Sequence, residues 1–266
     1  AAPPAAYTGD GSLAYFVKRS HTKIRAHVGR GYRAPSLYER FGAGYDSFFG
    51  YSVYGDPVLK PEQSIAVDAG VDQSLLNNKL RLSATYFYTH LQRVIAFDFS
   101  GLINPATDPF GRSIGYLNTN GGFARGVEFN ADWAVNHTLT VSGAYTYTDA
   151  RERTPLVPDV YRSFITPDHQ FTLFAVQRLG QRIFVYFAMN ASTSYLAQIY
   201  SNFSSGAFRF AGQKRADAGV SYRIPIDDRR AVRLFVKAEN AFNQNYYESG
   251  FQTPGLTGRG GLQFEF

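Results

Sequence analysis

From Gly122 to Val135 the stretch GFARGVEFNADWAV places Phe123, Val127, Phe129, Ala131, Trp133 and Val135 on one side of an extended chain. Ala124, Gly126, Glu128, Asn130, Asp132 and Ala134 fall on the other. A period of two is the signature of a strand with one apolar and one polar face. The same alternation recurs with Ile24, Ala26 and Val28 against Lys23, Arg25 and His27, and with Val232, Leu234, Val236 and Ala238 against Arg233, Phe235, Lys237 and Glu239. Leu80, Leu82, Ala84, Tyr86 and Tyr88 make a further row, as do Leu139, Val141, Gly143, Tyr145 and Tyr147. No stretch sustains a helical period.

Eleven strands are predicted, near 12–20, 22–32, 63–75, 78–98, 114–134, 138–150, 167–179, 181–196, 207–224, 230–241 and 256–266. Many exceed the roughly 5–6 residues typical of soluble sheets. Tight turns at Ser20-His21, Asn77-Asn78, Asn136-His137, Gly180 and Pro225–Asp228 alternate with long connections at 33–62, 99–113, 151–166, 197–206 and 242–255. Charged residues make up only 18% of the chain and aromatics 16%. Long two-faced strands, many aromatics, and short turns opposite long loops together predict an all-β transmembrane antiparallel barrel. A closed sheet is the only non-helical structure that pairs every backbone group in lipid. A soluble sandwich or propeller also alternates, but rarely needs strands this long or loops this one-sided.

Other classes are excluded on composition. No Cys is present, so thiolate metal sites, disulfides and cysteine nucleophiles are ruled out. The net charge of +6 comes from scattered Lys and Arg without a basic block, which argues against nucleic acid. The best apolar run, Ile183 to Met189, is too short for a membrane helix. His21, His27, His90, His137 and His169 show no metal-ligand spacing, no Gly-x-Ser-x-Gly elbow occurs, and Asp227-Asp228-Arg229-Arg230 reads as a charged turn. Neither an enzyme, a metal site nor a cofactor site is indicated.

Four stretches occur in order: GYRAPSLYERFG, GDPVLKPEQS, YLNTNGGFARGVEFNADW and AENAFNQNYYESGFQTPG, followed by the terminal strand TGRGGLQFEF. Together they resemble the C-terminal half of a TonB-dependent outer-membrane receptor, over nearly the whole of residues 1–266. The resemblance implies a barrel of about 22 strands in the bacterial outer membrane, closed by an N-terminal plug. It also implies uptake of a scarce ligand, a ferric siderophore or cobalamin, driven through TonB. Leu262, Phe264 and Phe266 alternate to a final aromatic, and the resemblance implies that the barrel-assembly machinery reads this strand. Eleven crossings ending at the short-turn side begin at the long-loop side, and bacterial barrels have even strand counts. The plug, the TonB-engaging segment and the first half of the barrel are therefore expected outside this chain. A passive porin, or an outer-membrane adhesin or enzyme, is the alternative.

The stretch GRGYRAPSLYERFG lacks the lysine and spacing of a phosphate loop and is expected to lead from a strand into a long extracellular loop. Arg33, Tyr38, Arg40, Tyr45, Tyr51 and Tyr54 are the candidate ligand contacts, with Phe41, Phe48 and Phe49 beside them. The arginines, Arg30 included, also have a structural reading, in which they pair with carboxylates such as Glu39 or with the plug, and for them that role is preferred. Phe129, Trp133, Tyr145, Leu234 and Phe264 are expected to meet outer-membrane lipid, and Glu128, Asn130, Arg233, Lys237 and Glu239 the lumen. Tyr147, Tyr195, Tyr200, Tyr222, Tyr246 and Tyr247, near strand ends, are expected in interfacial belts.

Overall fold

The computed structural model describes residues 7–46, 50–98, 101–155, 157, 159–201, 204–248 and 250–266. The elements are β1 (Gly9–Val17), β2 (Thr22–Arg33), α1 (Leu37–Phe41), β3 (Ala43–Asp46), β4 (Gly50–Val53) and β5 (Glu62–Leu75). They continue with β6 (Leu80–Asp98), β7 (Gly115–Thr119), β8 (Gly122–Ala134), β9 (Leu139–Glu152), β10 (His169–Leu179) and β11 (Ile183–Ser192). The last are β12 (Tyr195–Ser201), β13 (Ser204–Phe210), β14 (Lys214–Pro225), β15 (Ala231–Glu239), β16 (Tyr247–Glu248), β17 (Phe251–Gln252) and β18 (Thr257–Glu265).

Eleven of these form one antiparallel wall in the order β1-β2-β5-β6-β8-β9-β10-β11-β14-β15-β18. Each wall strand pairs with the next wall strand in the chain, so the connections need only be short turns or excursions above the wall. At the short-turn end Asn77 and Asn78 take left-handed φ values of 55° and 66°, which asparagine tolerates better than most residues. Gly180 does the same at φ 64°.

The wall has two faces and no second layer. Register carries one apolar row across six strands as Ile24, Val71, Ala84, Phe129, Tyr145 and Phe171. Trp133, Leu234 and Phe264 lie on that same face, whereas Glu128, Asn130, Arg233, Lys237 and Glu239 lie on the other. The apolar side chains stay open: Leu13 is 74% exposed, Val236 62% and Leu262 64%. So much contiguous apolar surface is not that of a water-soluble monomer. In lipid the same surface is solvated by acyl chains.

The opposite face is crossed by ion pairs. Arg25 reaches Asp72 at 3.4 Å, Asp68 at 3.6 Å and the Thr85 hydroxyl at 2.5 Å. Near the other edge Glu265 accepts from Arg223 at 2.7 Å and from Arg233 at 2.6 Å. These groups are about a third exposed, so each pair contributes little to stability, but together they exclude lipid from this side. The face is not polar throughout. Phe174, Phe184, Tyr186 and Phe235 line a recess of about 480 Å³ on it, with the Arg233 guanidinium 5.5 Å from the Phe184 ring.

Four expectations need correction. Region 114–134 is not one strand: β7 pairs with the upper part of β6, and β8 begins after a break at Gly121, whose φ is 62°. Region 207–224 is likewise split into β13, half of a hairpin with β12, and the wall strand β14. β11 ends at Ser192, short of the expected 196, because Tyr195 onward turns into that hairpin. A helix forms where none was expected, α1, only five residues long.

The belt holds only in part. Tyr147 and Tyr222 lie on the apolar face near opposite ends of the wall, each 38% exposed. Tyr195, Tyr246 and Tyr247 belong instead to loop structures, and the Tyr200 side chain lies outside the described residues. On the apolar face Phe129 and Tyr145 stack at 6.3 Å, Tyr88 and Phe123 at 6.4 Å, and Tyr147 packs against His169 at 5.2 Å.

Phe129→Lys is expected to lower the unfolding free energy in lipid vesicles by about 2–4 kcal/mol, while Asn130→Lys, one residue along, stays within about 0.5 kcal/mol. Urea titration of the two variants checks this, and equal effects would contradict the assignment of faces.

Candidate functional site

The candidate site lies at the long-loop end of the wall, beginning where β2 leaves it. Pro35 disfavours helical geometry at Ala34 before it, and Ser36, itself extended at φ −70° and ψ 164°, caps α1. The Glu39 amide donates to Ser36 Oγ at 3.1 Å and the Ser36 amide donates to Glu39 Oε2 at 2.6 Å, a reciprocal capping box. Burial alone would raise the Glu39 carboxyl. The hydrogen bonds from Ser36 and Arg33 outweigh it and hold the group below the usual carboxylate range.

Arg33 grips Glu62 with two parallel bonds, Nε to Oε2 at 2.6 Å and Nη2 to Oε1 at 2.9 Å, and reaches Glu39 at 2.9 Å. The guanidinium thus ties the start of the loop to its end, the fork geometry for which arginine is suited. Arg40 donates to the Pro57 carbonyl through Nε at 3.1 Å and Nη2 at 2.5 Å. The Arg33–Glu39 pairing anticipated from sequence is present, and Glu62 is the partner that sequence reading missed. Tyr38 packs edge-on to Tyr116 at 6.1 Å, and Tyr54 and Tyr116 meet Phe97 at 5.8 and 4.8 Å.

Tyr45 and Tyr51 are different. They face each other across the β3–β4 hairpin and are 79% and 71% exposed. Of the six candidate contacts, Arg33, Tyr38, Arg40 and Tyr54 are occupied in holding the loop together, and these two project from it. Phe48 and Phe49 lie outside the described residues.

The loop rests on a second one. Arg112, only 6% exposed, donates through Nη1 to the carbonyls of Gly55 at 3.1 Å and Tyr116 at 3.0 Å, and through Nη2 to Asp108 at 2.8 Å. Asp56 adds a carboxylate at 3.5 Å. Hydrogen bonds from Arg112, against an opposing effect of burial, hold the Asp108 carboxyl down at about 2. No sequence signal marked Arg112: Asp108 and the Tyr116 carbonyl are four residues away, but the carbonyl that ties it to the first loop, that of Gly55, is 57 residues away.

A separate cluster forms over β10, β11 and β14. Gln170, Tyr195, Gln213, Tyr246, Tyr247 and Glu248 line a recess of about 140 Å³, and the Tyr195 hydroxyl donates to the Tyr247 carbonyl at 3.0 Å. Asn240, 2% exposed, braces it by donating to the carbonyls of Gln244 at 2.9 Å and Pro254 at 3.1 Å. Tyr246 is 4% exposed, buried as a loop anchor. Among the described residues no group of acidic, histidine or cysteine side chains is arranged to hold a metal ion.

The sequence profile of the family described as TonB dependent receptor-like, beta-barrel matches residues 5–241. The chain belongs to that family. It is therefore part of the β-barrel of an outer-membrane protein of the TonB-dependent receptor-like family. The ferrichrome outer membrane transporter/phage receptor of Escherichia coli K12 is 22% identical over 220 residues, which are 81% of this chain and 28% of that protein. The ferripyoverdine receptor of the Pseudomonas aeruginosa outer membrane, solved with ferripyoverdine, superposes with a TM-score of 0.70 at 17% identity, covering 97% of this chain and 32% of its own. The copper transporter OprC gives 0.70 at 18% identity, covering 97% and 39%. The chain thus spans less than a third of its curated relative's length and under two-fifths of these solved chains. At such identities the structural likeness establishes fold and not cargo.

Arg112→Ala would leave the buried Gly55 carbonyl and the half-buried Tyr116 carbonyl without this donor and Asp108 without its partner, a loss of about 3–5 kcal/mol confined to the two loops. Amide exchange at Gly111 and Tyr116 should rise accordingly while exchange in β8 and β9 is unchanged. Because the folded Asp108 value of about 2 lies below its ordinary 3.8, this contribution is complete above about pH 4 and is lost as pH falls toward 2. Protection of the loops that fails already at pH 6 would contradict the pairing.

Proposed function

We propose that this chain supplies eleven strands to the barrel of a TonB-energised receptor, and that the receptor takes up a metal chelate, a ferric siderophore before any other cargo. The observation that carries this reading is the combination of a lipid-facing wall with a pre-folded extracellular loop on which Tyr45 and Tyr51 stand exposed. Aromatic faces suit flat or apolar chelates, and the net charge of +6 suits anionic ones. The relatives named for ferrichrome, ferripyoverdine and copper favour a metal chelate over cobalamin.

In this reading the edges β1 and β18 pair with further strands of the same barrel, since a bilayer offers no partners to an open edge. The strand pairing of Leu262 and Phe264 with Leu234 and Val232 fits the proposed use of the last strand as an assembly signal. A plug and a TonB-binding segment belong to the rest of the receptor. Their contact surface on this chain is the ion-paired face with its aromatic recess. Membership of the receptor family argues against a passive porin.

Deleting residues 43–54 from the complete receptor should weaken binding of its ferric siderophore by at least about tenfold and abolish siderophore-dependent growth, with the barrel still folded and heat-modifiable on a gel. Unchanged affinity would remove the loop from the binding site. Growth that persists without the inner-membrane energy complex would contradict active transport.

A further inference from the structure

The two ends of the wall handle charge differently. Toward the long loops, arginines close on carboxylates: Arg33 on Glu62, Arg112 on Asp108, and Arg215 on Asp217 at 2.9 Å. At the other end the short turns and the strand residues beside them, 17–23, 72–81, 131–140, 177–183, 222–233 and 263–266, hold eleven Lys and Arg against five Asp and Glu. Four of those five acids already have partners. Asp72 is held by Arg25 at 3.4 Å, Asp227 by Arg230 at 2.6 Å and Glu265 by Arg223 and Arg233, while Asp132 accepts from Ser142 Oγ at 2.7 Å. Lys18, Arg19, Lys79 and Arg229 are exposed turn residues that meet no carboxylate among the described residues. Arg182 has only a neutral printed partner, the Tyr222 hydroxyl, to which its Nη1 donates at 3.4 Å.

The height of these cations decides what they meet. The turns that carry them are three to five residues long, and Val17, Leu80 and Ile183 adjoin Lys18, Lys79 and Arg182 directly. Those apolar neighbours belong to the last rows of the outward face. Register sets Leu75, Leu80, Trp133 and Val141 in one rung, and Ile183, Tyr222, Leu234 and Leu262 in another. At roughly 3.3 Å per strand residue, the cations stand within about 7 Å of the hydrocarbon boundary. The headgroup layer on each side of a bilayer is of the same depth, roughly 5–7 Å. Turns this short cannot carry the charges beyond it, and anions lying more than a Debye length of about 8 Å further out are screened. The anions within reach are therefore lipid phosphates. In outer-membrane barrels the short turns are periplasmic, which places them in the inner leaflet.

We propose that Lys18, Arg19, Lys79, Arg182 and Arg229 form a collar that binds anionic phospholipids of the periplasmic leaflet through their phosphates. The long stems lie along the outward apolar rows while the charged heads reach the headgroups, and Trp133 and Tyr222 sit at the same interface. Contributions from four separate turns fix the depth of the wall, because sliding it toward the outer leaflet would draw all five cations into hydrocarbon. The collar rests on the lipid-facing reading of the outward face and is independent of which cargo the receptor carries.

The test reconstitutes the complete receptor in phosphatidylcholine vesicles with a trace of nitroxide-labelled phosphatidylglycerol or nitroxide-labelled phosphatidylcholine. The motionally restricted fraction of each label gives the relative affinity of the two lipids for the protein surface. Wild type should prefer phosphatidylglycerol about fivefold at low salt, and the preference should collapse toward unity at about 1 M salt. Combining Lys18→Gln, Arg19→Gln, Lys79→Gln and Arg182→Gln should bring it below about twofold with the barrel still heat-modifiable on a gel. Arg151→Gln with Arg153→Gln, at the opposite end of the wall, should leave the greater part of it. A wild-type preference that ignores salt, one that survives the four changes, or one that the long-loop pair removes by itself would overturn the collar. So would sedimentation with purified peptidoglycan that the four changes abolish while lipid preference stays the same, since the cations would then serve the cell wall. Quenching of Trp133 fluorescence by brominated acyl chains, isolated by subtracting the Trp133→Phe variant, separates the two levels. If Trp133 is quenched and the lipid preference is absent, only the collar fails; if Trp133 is not quenched, the lipid-facing reading fails with it.

Discussion

The backbone of a chain that crosses lipid has no water to bond with, so every donor and acceptor must find another strand. That requirement produces the long meander of eleven strands, each paired with its wall neighbours along the chain. Once the wall is fixed, side chains can only alternate, and both faces follow from a single register. Ile24, Val71, Ala84, Phe129, Tyr145 and Phe171 line up on the lipid side because a slip of one residue in any strand would send that strand's charged set into hydrocarbon. The chain consequently has almost no interior of its own: the large buried side chains among the described residues belong mostly to the loops, such as Leu59, Ile103 and Tyr246.

The loops therefore solve a different problem, that of staying folded in water without a core. They do it with buried or half-buried polar anchors. Arg33 clamps the two ends of the first loop through Glu62, Arg112 fastens that loop to the next by way of backbone carbonyls, and Asn240 braces the last. Rigid anchoring at the base leaves the β3–β4 hairpin with Tyr45 and Tyr51 held out at its tip. Under the proposed function this arrangement favours binding, since a preorganised loop loses less conformational freedom when a ligand arrives.

What could be read from sequence follows the same division. The wall was legible because period two is local and repeats over ten or more residues, as in Gly122 to Val135. The breaks were not. Region 114–134 looked continuous because β7 alternates like β8, and only the left-handed turn at Gly121 separates them. The helix α1 is not legible in the sequence because five residues are too few to show a period, and Pro35, one position before the Ser36 cap, lies outside it and removes none of its hydrogen bonds. The Arg33–Glu39 ion pair is the structural alternative anticipated from sequence, yet Glu62 and the tie that Arg112 makes to Gly55 depend on loop contacts that no local pattern encodes.

The claim beneath all of this is that one face of the wall meets lipid and the other an aqueous lumen. The chain has no native cysteine, so single cysteines can be placed from Gly126 to Trp133 in the complete receptor, with any others removed, and labelled with nitroxides in vesicles. The account predicts collision rates with oxygen that peak at residues 127, 129, 131 and 133 and collision rates with a water-soluble nickel complex that peak at 126, 128, 130 and 132. A flat profile, or oxygen maxima at Glu128 and Asn130, would contradict it.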